Sequence, residues 1–361
     1  RRLNVGLEAS LLQNRLGVAV NYFRSTTDNL LTRQSLGFLS GLEQNWNNGG
    51  KLQNEGFDVS VTAKIIAAKD WQWQLGATVG HYKNKITALH ESVAEEGIKG
   101  SYYIRRVGGS MYQAYVYKTA GIYGANNYPE GSTYNSANDG RALYWYRTTE
   151  NVTDADGNTV YEADGTTPKT QEVDKKTLNF SDATQYDDGD ILPKLQGGIG
   201  MTFKVYDFDL SFQCGWQLGG RFYDATYQAL MHTSDQSIGS AWHKDALKAW
   251  SADNTGSSIP RLENDYTIGQ SAVDRFYTSS DYFSLSNFTV GYTLPKLLTS
   301  RIGIESLRVY VAGENMFVLS ARKGLDPRFS FGLGSYTAGT GYSSGNYSAM
   351  RTITAGISLS F

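Results

Sequence analysis

The chain has 361 residues, a formal net charge of -2, 39 Gly, 25 Tyr, 7 Trp, 6 Pro and one Cys, at a mean hydropathy of -0.41. The near-neutral balance, with no basic cluster set among aromatics, gives no support to a nucleic-acid surface, and the lone Cys214 excludes an intrachain disulfide. No run of about 18 apolar residues is present, which excludes a spanning helix but not a barrel, whose strands hide apolar residues by alternation and can be polar on average.

In chain order, the first predicted elements are strands over residues 3–10 and 16–23, where polarity alternates with period two. That period marks a ribbon with its two faces in different solvents. Strands follow over 57–66 and 71–82, then weaker ones over 101–106 and 111–119. In residues 195–205, Ile199, Met201, Phe203 and Val205 oppose Gly198, Gly200, Thr202 and Lys204. In residues 210–218, Leu210, Phe212, Cys214, Trp216 and Leu218 oppose Ser211, Gln213, Gly215 and Gln217. Cys214 thus reads as a small lipid-facing residue rather than a reactive thiol. Strands over 288–294 and 307–319 precede the last, over 351–361, where Ile353, Ala355, Ile357, Leu359 and Phe361 share a face. That makes about eleven strands, each near the ~9–11 residues needed to cross a bilayer obliquely.

Short connections are expected at 12–14, 67–70, 108–110, 206–207 and 295–305, and long ones at 24–51, 87–100, 120–193, 220–281 and 320–350. Their regular alternation fits short periplasmic turns and long external loops, and with a last strand that descends to the periplasm the first descends too. Trp71, Trp73, Tyr206, Phe208, Tyr292 and Phe361 gather near the short turns, as an interfacial girdle requires; ordinary half-buried strand aromatics would read the same way residue by residue. An apolar edge strand at the chain end would aggregate in water unless it closes a barrel. The ending at Ile357, Leu359 and Phe361 resembles the sorting signal of Gram-negative outer-membrane barrels, which the barrel-assembly machinery reads. The start at Arg1, with neither initiator Met nor signal peptide, is expected of a piece of a longer protein. A soluble lectin-like sandwich stays open as the alternative fold.

Several stretches carry a family resemblance. Tyr22-Phe23-Arg24-Ser25-Thr26-Thr27-Asp28-Asn29-Leu30-Leu31 is similar to a "YxRxTxDLL" pattern, and 48–58 to "NxGxxxNxGxE" with Asp58 in place of Glu. Residues 281–292, residues 307–317 and Gly324-Leu325-Asp326-Pro327-Arg328, the last close to "GxDPE" with Arg328 replacing the acid, follow in the same order. Together they resemble the SusC/RagA group of TonB-dependent outer-membrane transporters of Bacteroidota. The resemblance implies an all-β, transmembrane antiparallel barrel of twenty-two strands with an N-terminal plug. Residues 1–361 would be the C-terminal half of that barrel, a single incomplete domain without the plug. It further implies multi-pass insertion in the outer membrane among its lipids and active import of large nutrients, glycans or oligopeptides. The implied partners are a SusD-like lipoprotein, the TonB complex reached through the absent N-terminal region, and a second transporter–lid pair.

No catalytic constellation is found. His81, His90, His232 and His243 lack metal-ligand spacing, and no nucleophile elbow occurs; no enzyme activity, cofactor or metal is assigned. Asp154-Ala155-Asp156-Gly157-Asn158 superficially resembles a calcium loop, but the remaining ligand positions do not follow, and a polar turn is the plainer reading. Asp187, Asp188 and Asp190 read as a solvated turn. Tyr144, Trp145 and Tyr146, with Tyr112 and Tyr115 on the approach, are the substrate-contact expectation, since rigid aromatic faces suit sugar rings and peptide side chains alike. Packing of loop against loop, or contact with the lid, is the alternative. Residues 222–231 with 241–250 are expected to be helical and to cap the barrel mouth. A passive porin and an outer-membrane enzyme are the rival functions.

Overall fold

The computed structural model describes all residues except 36–40, 42, 43, 101, 232–241, 264–272, 301, 302, 322, 324 and 330–348. His232, Gly324 and most of the last long connection lie outside the described residues.

The alternating segments near the start form β1 (Arg2–Leu11), β2 (Leu16–Ser35), β3 (Gln44–Ala67) and β4 (Trp71–Ala88). The β1–β2 turn places Leu12, Gln13 and Asn14 in left-handed backbone, with φ of 53°, 56° and 63°. The chain then leaves this sheet to build β5 (Ile98–Lys99), β6 (Tyr103–Arg105), β7 (Gln113–Tyr117), β8 (Thr119–Ile122), β9 (Ala142–Asn151), β10 (Thr170–Thr177) and β11 (Gln185–Asp190). It returns for β12 (Leu195–Val205) and β13 (Phe208–Leu218), then leaves again through β14 (Arg221–Tyr223) and β15 (Tyr277–Ser279). It closes with β16 (Tyr282–Thr293), β17 (Ser306–Ser320) and β18 (Thr352–Ser360).

One antiparallel meander of nine strands results, in the order β1-β2-β3-β4-β12-β13-β16-β17-β18. The two weaker segments are not part of it. Residues 103–105 and 113–117 lie instead in a four-stranded loop sheet, β11-β7-β6-β5. Their alternating Ile104, Ala114 and Val116 are buried in loop packing, which imposes the same period two as a membrane would. Strands of three and five residues are too short to cross. Removing two strands leaves the up–down parity unchanged. The connection at 108–110 is accordingly a turn within the loops, where Gly108 N donates to Ile86 O and Ile86 N to Gly109 O.

The expected long loop over 24–51 is also largely strand. β2 and β3 stay paired from Leu16↔Ala63 to Ser35↔Gln44, with register shifts around Leu30 where Asn29 takes φ 56°. This extension is rich in Thr, Asn and Gln and also exposes Leu31 and Trp46, so its sequence loses the period of two. Asn21 donates to Asp58 at 2.8 Å, Arg24 to Gln53 at 2.8 Å and Asn84 to Asn54 at 2.6 Å. Asp58 thus fills the motif's acidic position as a hydrogen-bond acceptor.

The two faces of the sheet separate as the alternation requires. Phe203 stacks on Trp73 at 5.4 Å and on Phe212 at 6.1 Å, so these rings share one face across β4, β12 and β13. The same apolar side carries exposed Val309, Leu319, Ile357 and Leu359, left open by the described residues. On the opposite side, Gln217 is buried and donates to Ser280 O and Oγ, because the loops fold over that side alone. The bare apolar face is the one suited to lipid. At the short-turn end, Trp71 meets Tyr206 at 6.4 Å and Phe208 meets Tyr292 at 4.5 Å, one exposed aromatic row across neighbouring strands. Asp209 and Arg308 pair across Gly291 on the polar side, at 2.5 and 2.9 Å; a Cβ on Gly291 would meet both.

Candidate functional site

The described residues of the two excursions, within 89–194 and 219–281, form a loop body at one end of the sheet. Its core is aromatic. Ala142, Tyr144, Tyr223, Val273 and Phe276 are buried together, with Tyr102, Tyr117, Phe180 and Tyr227 packed around them. Tyr102 meets Tyr223 at 4.6 Å, and Tyr144 meets Phe180 edge-on at 5.0 Å. Such packing fixes large rings at little rotamer cost. Tyr277 donates to Tyr102 O at 2.9 Å, joining segments 175 positions apart. Burial pushes the Tyr223 and Tyr277 phenols up, and pushes Tyr227 up to about 12, so all three are neutral at pH 7.

The second excursion clamps the first. Trp250 lies where a Cβ of Gly140 would stand, and Gly140 also needs its φ of 85°. Arg261 donates to Ala137 O at 2.9 Å and Asp139 O at 2.8 Å, and to Glu263, which also takes Arg141 at 3.2 Å. In place of the expected helical cap, residues 225–230 form a single short helix, capped by buried Asp224, and 244–248 form a 3-10 turn. Ala241 lies outside the described residues.

The acidic run of β11 is not a free turn. Asp188 takes Arg221 at 2.6 Å and Lys118 at 3.2 Å, and Asp187 takes Arg106 at 3.5 Å. Asp190 is held above the usual carboxylate range by burial, against the N–H bond it accepts from Leu192. Asp174 binds Arg147 at 2.9 Å and accepts from Tyr186 at 2.9 Å, which with burial lifts that phenol to about 12. Asp154 accepts from the N–H groups of Asp156 and Asn158, the hydrogen bonds of an Asx turn.

The expected contact residues divide by strand alternation. Tyr144 and Tyr146 share one face of β9 and Trp145 takes the other, so the three cannot form one platform. Tyr144 is 2 % exposed, its ring built into the core. Trp145 lies half-buried with the Lys176 ammonium 5.6 Å above its ring, and Tyr146 is half-buried opposite Lys175. Tyr112 and Tyr115 are half-buried at and within β7, Tyr115 opposite Asp187. The aromatic run at Tyr144-Trp145-Tyr146 gave no sign of Tyr223 and Phe276, which share its core, or of Tyr102 and Tyr227 packed against it; their one trace in the sequence is aromatic density within long connections.

No family model matches the chain. It is 25 % identical to TonB-dependent receptor P3 of Formosa agariphila over 373 aligned positions, covering 100 % of this chain and 34 % of the relative. It is 25 % identical to TonB-dependent receptor SusC of Bacteroides thetaiotaomicron, covering 91 % of this chain and 29 % of the relative. Among solved structures, the RagAB peptide transporter superposes with a TM-score of 0.73 at 22 % identity, over 100 % of this chain and 35 % of that one. The RagAB importer in its closed-closed state gives 0.70 at 21 %. The chain spans about a third of the length of the relatives it matches. Along its whole length the chain is similar in sequence to TonB-dependent receptors, SusC among them, and in fold to a segment of the RagAB transporter, as expected of part of a bacterial outer-membrane β-barrel.

Proposed function

We propose that the full protein, of which this chain is a part, imports an oligomeric nutrient across the outer membrane, driven through TonB and working beneath a SusD-like surface lipoprotein. The observation that carries this reading is the likeness to TonB-dependent receptors over the entire chain. The loop body adds a physical reason: long connections packed into a rigid aromatic layer at the external end offer a docking surface that a simple pore does not need. The relatives are named as receptors and transporters, which favours transport over catalysis.

In this reading Tyr112, Tyr115, Trp145 and Tyr146 touch the cargo and Tyr144 holds them in place from the core. The last strand, with Ile357, Leu359 and Phe361, serves insertion by the assembly machinery. The test follows uptake of a fluorescent oligosaccharide and a fluorescent oligopeptide in cells carrying the full-length protein. Loss of TonB is expected to abolish uptake of one of them, and loss of the neighbouring lipoprotein to reduce it strongly. Undiminished uptake without TonB would replace this reading with a passive porin.

A further inference from the structure

At its external end the lipid side of the sheet turns from apolar to basic across β2, β3 and β4. In β4 the inward residues Asn84 and Ile86 are buried beneath the loops, Asn84 taking the Met111 N–H at 2.8 Å. Lys83 and Lys85 alternate with them and are exposed on the other side, the face of Trp73. The pairing sets Tyr22, Phe57 and His81 in one row across the three strands, and Arg24, Glu55 and Lys83 in the next row outward. Tyr22 and Phe57 are exposed, as suits the level where hydrocarbon gives way to headgroups. Arg24 donates to Gln53 at 2.8 Å and Gln53 to Glu55 at 3.1 Å. Among the described residues, Arg24, Lys83 and Lys85 form no ion pair, whereas Lys51 and Asp28 farther out pair with each other at 3.9 Å. Lys83 also feels the charge of Asp190 from the loop side. On the outer face, three cations therefore oppose the single carboxylate of Glu55, a surplus of two charges.

Just below these cations the same side is grooved. The pairing runs from Val79 through Gly197 and Trp216 to Phe283 and Leu319. A Cβ on Gly197 would stand 2.8 Å from the Trp216 ring, so the glycine lets that ring lie against the wall. Trp216, Phe283 and Leu319, with Ile199 and Leu218, line an open apolar groove of about 690 Å³. Asp281 at its rim takes the Gly219 N–H at 2.6 Å. Lys83 on β4 and Trp216 on β13 are two strands apart, about 10 Å at about 4.8 Å per strand. Cations above an apolar groove repeat the order in which an outer-leaflet lipid presents its headgroup and its chains. The surplus of two charges matches a phosphate monoester, which carries about 1.5 to 2 negative charges at pH 7. We propose that Arg24, Lys83 and Lys85 bind the phosphate of a multiply acylated lipid of the outer leaflet, with one of its chains in the groove over Trp216 and Phe283. The lipid is then a fixed partner of the barrel wall, whatever the protein imports.

The test titrates purified, delipidated full-length protein in detergent and reads bound lipid by native mass spectrometry. Two probes are used, diphosphoryl lipid A and the same lipid stripped of its phosphates. The wild type is expected to bind the phosphorylated lipid about ten to a hundred times more tightly, the range of a charged hydrogen-bonded contact. Arg24→Gln, Lys83→Gln and Lys85→Gln together should erase that preference. Lys64→Gln with Lys204→Gln, two exposed cations on the polar side, should leave it unchanged. Trp216→Ala should weaken both lipids alike and keep the preference. The heat-modifiable barrel band shows whether each variant has assembled. Should the triple variant fail to assemble, the wild type carries the test, since raising the salt should shrink the preference. Equal binding of the two lipids overturns the proposal, as does a preference that survives the triple variant or, in the wild type, high salt. Inorganic phosphate in large excess should not displace the lipid; full displacement would mark a site for a free anion and overturn the proposal as well.

Discussion

Near the short turns of the sheet, Trp71, Tyr206 and Phe208 leave half or more of their surface open, whereas in the loop body Tyr123, Tyr144 and Tyr223 leave at most 3 %. The same residue types serve opposite solvents. The sheet keeps its rings on the outside, where only lipid and its interface can cover them. The loop body turns its rings inward and builds a core that water can surround, held by Asp188, Arg261 and Tyr277 rather than by the bilayer. One chain thus carries two stabilities, and a change in one region should leave the other almost untouched.

The largest effect expected is in the loop body. Tyr144→Ala removes a ring 2 % exposed from the core and should cost about 3–5 kcal/mol there. Hydrogen exchange should rise across β8, β9 and the turn at Phe276, while the barrel's resistance to SDS stays as it was; a barrel that softens equally would show that the regions are not separate. The converse change is Phe212→Arg on the apolar face, expected to cost about 2–4 kcal/mol near the membrane midplane. Gln213→Arg, one residue along on the polar face, should cost far less. Urea unfolding in lipid vesicles compares them, and equal losses would contradict the assigned faces.

A smaller effect is expected of Gly140→Val, which forces a branched side chain to φ 85° and into the Trp250 ring. It should cost about 1–3 kcal/mol, read as faster proteolysis within 120–142 and 249–261 with the sheet intact. The smallest is a pH effect. Burial holds Asp274 above the usual carboxylate range. The stability it contributes is therefore present below the unfolded carboxylate value, about 4, and lost as pH rises through its folded value. Asp274→Asn should remove that loss, so the melting difference between wild type and variant should drift in the variant's favour from pH 4 to 7. A difference constant with pH would count against a buried, titrating Asp274.

How much could be read in advance follows from where water lies. β12, β13, β17 and β18 stand between lipid and a polar side, so Phe203, Phe212, Ile357 and Leu359 announce themselves by alternation. The outer parts of β2 and β3, from Thr26 to Ser35 and from Gln44 to Asn54, carry no period although they stay paired apart from the offsets around Leu30. Residues 103–105 and 113–117 carry the period for the wrong reason, because a loop core also buries every second residue. At the site, Tyr144-Trp145-Tyr146 stood out as an aromatic run, but a strand sends neighbours to opposite faces. Phe276 gave no warning at all: its place in the core depends on partners brought from Tyr144, Tyr223 and Tyr227, far away in sequence.

The paired strands β2 and β3 run for 20 and 24 residues, about 66 and 79 Å at about 3.3 Å per residue, against about 30 Å of hydrocarbon. Part of this ribbon therefore stands as a mast, continuous with the barrel wall. Pulled along its length, both strands are tensioned together and the ladders to β1 and β4 that anchor them in the wall are loaded in shear, with many bonds resisting at once. Pulled sideways, the bonds fail one after another from the tip, and the offset at Asn29 is the natural place for that peeling to stop. The mast is stiff to a lengthwise grip and yielding to a lateral one.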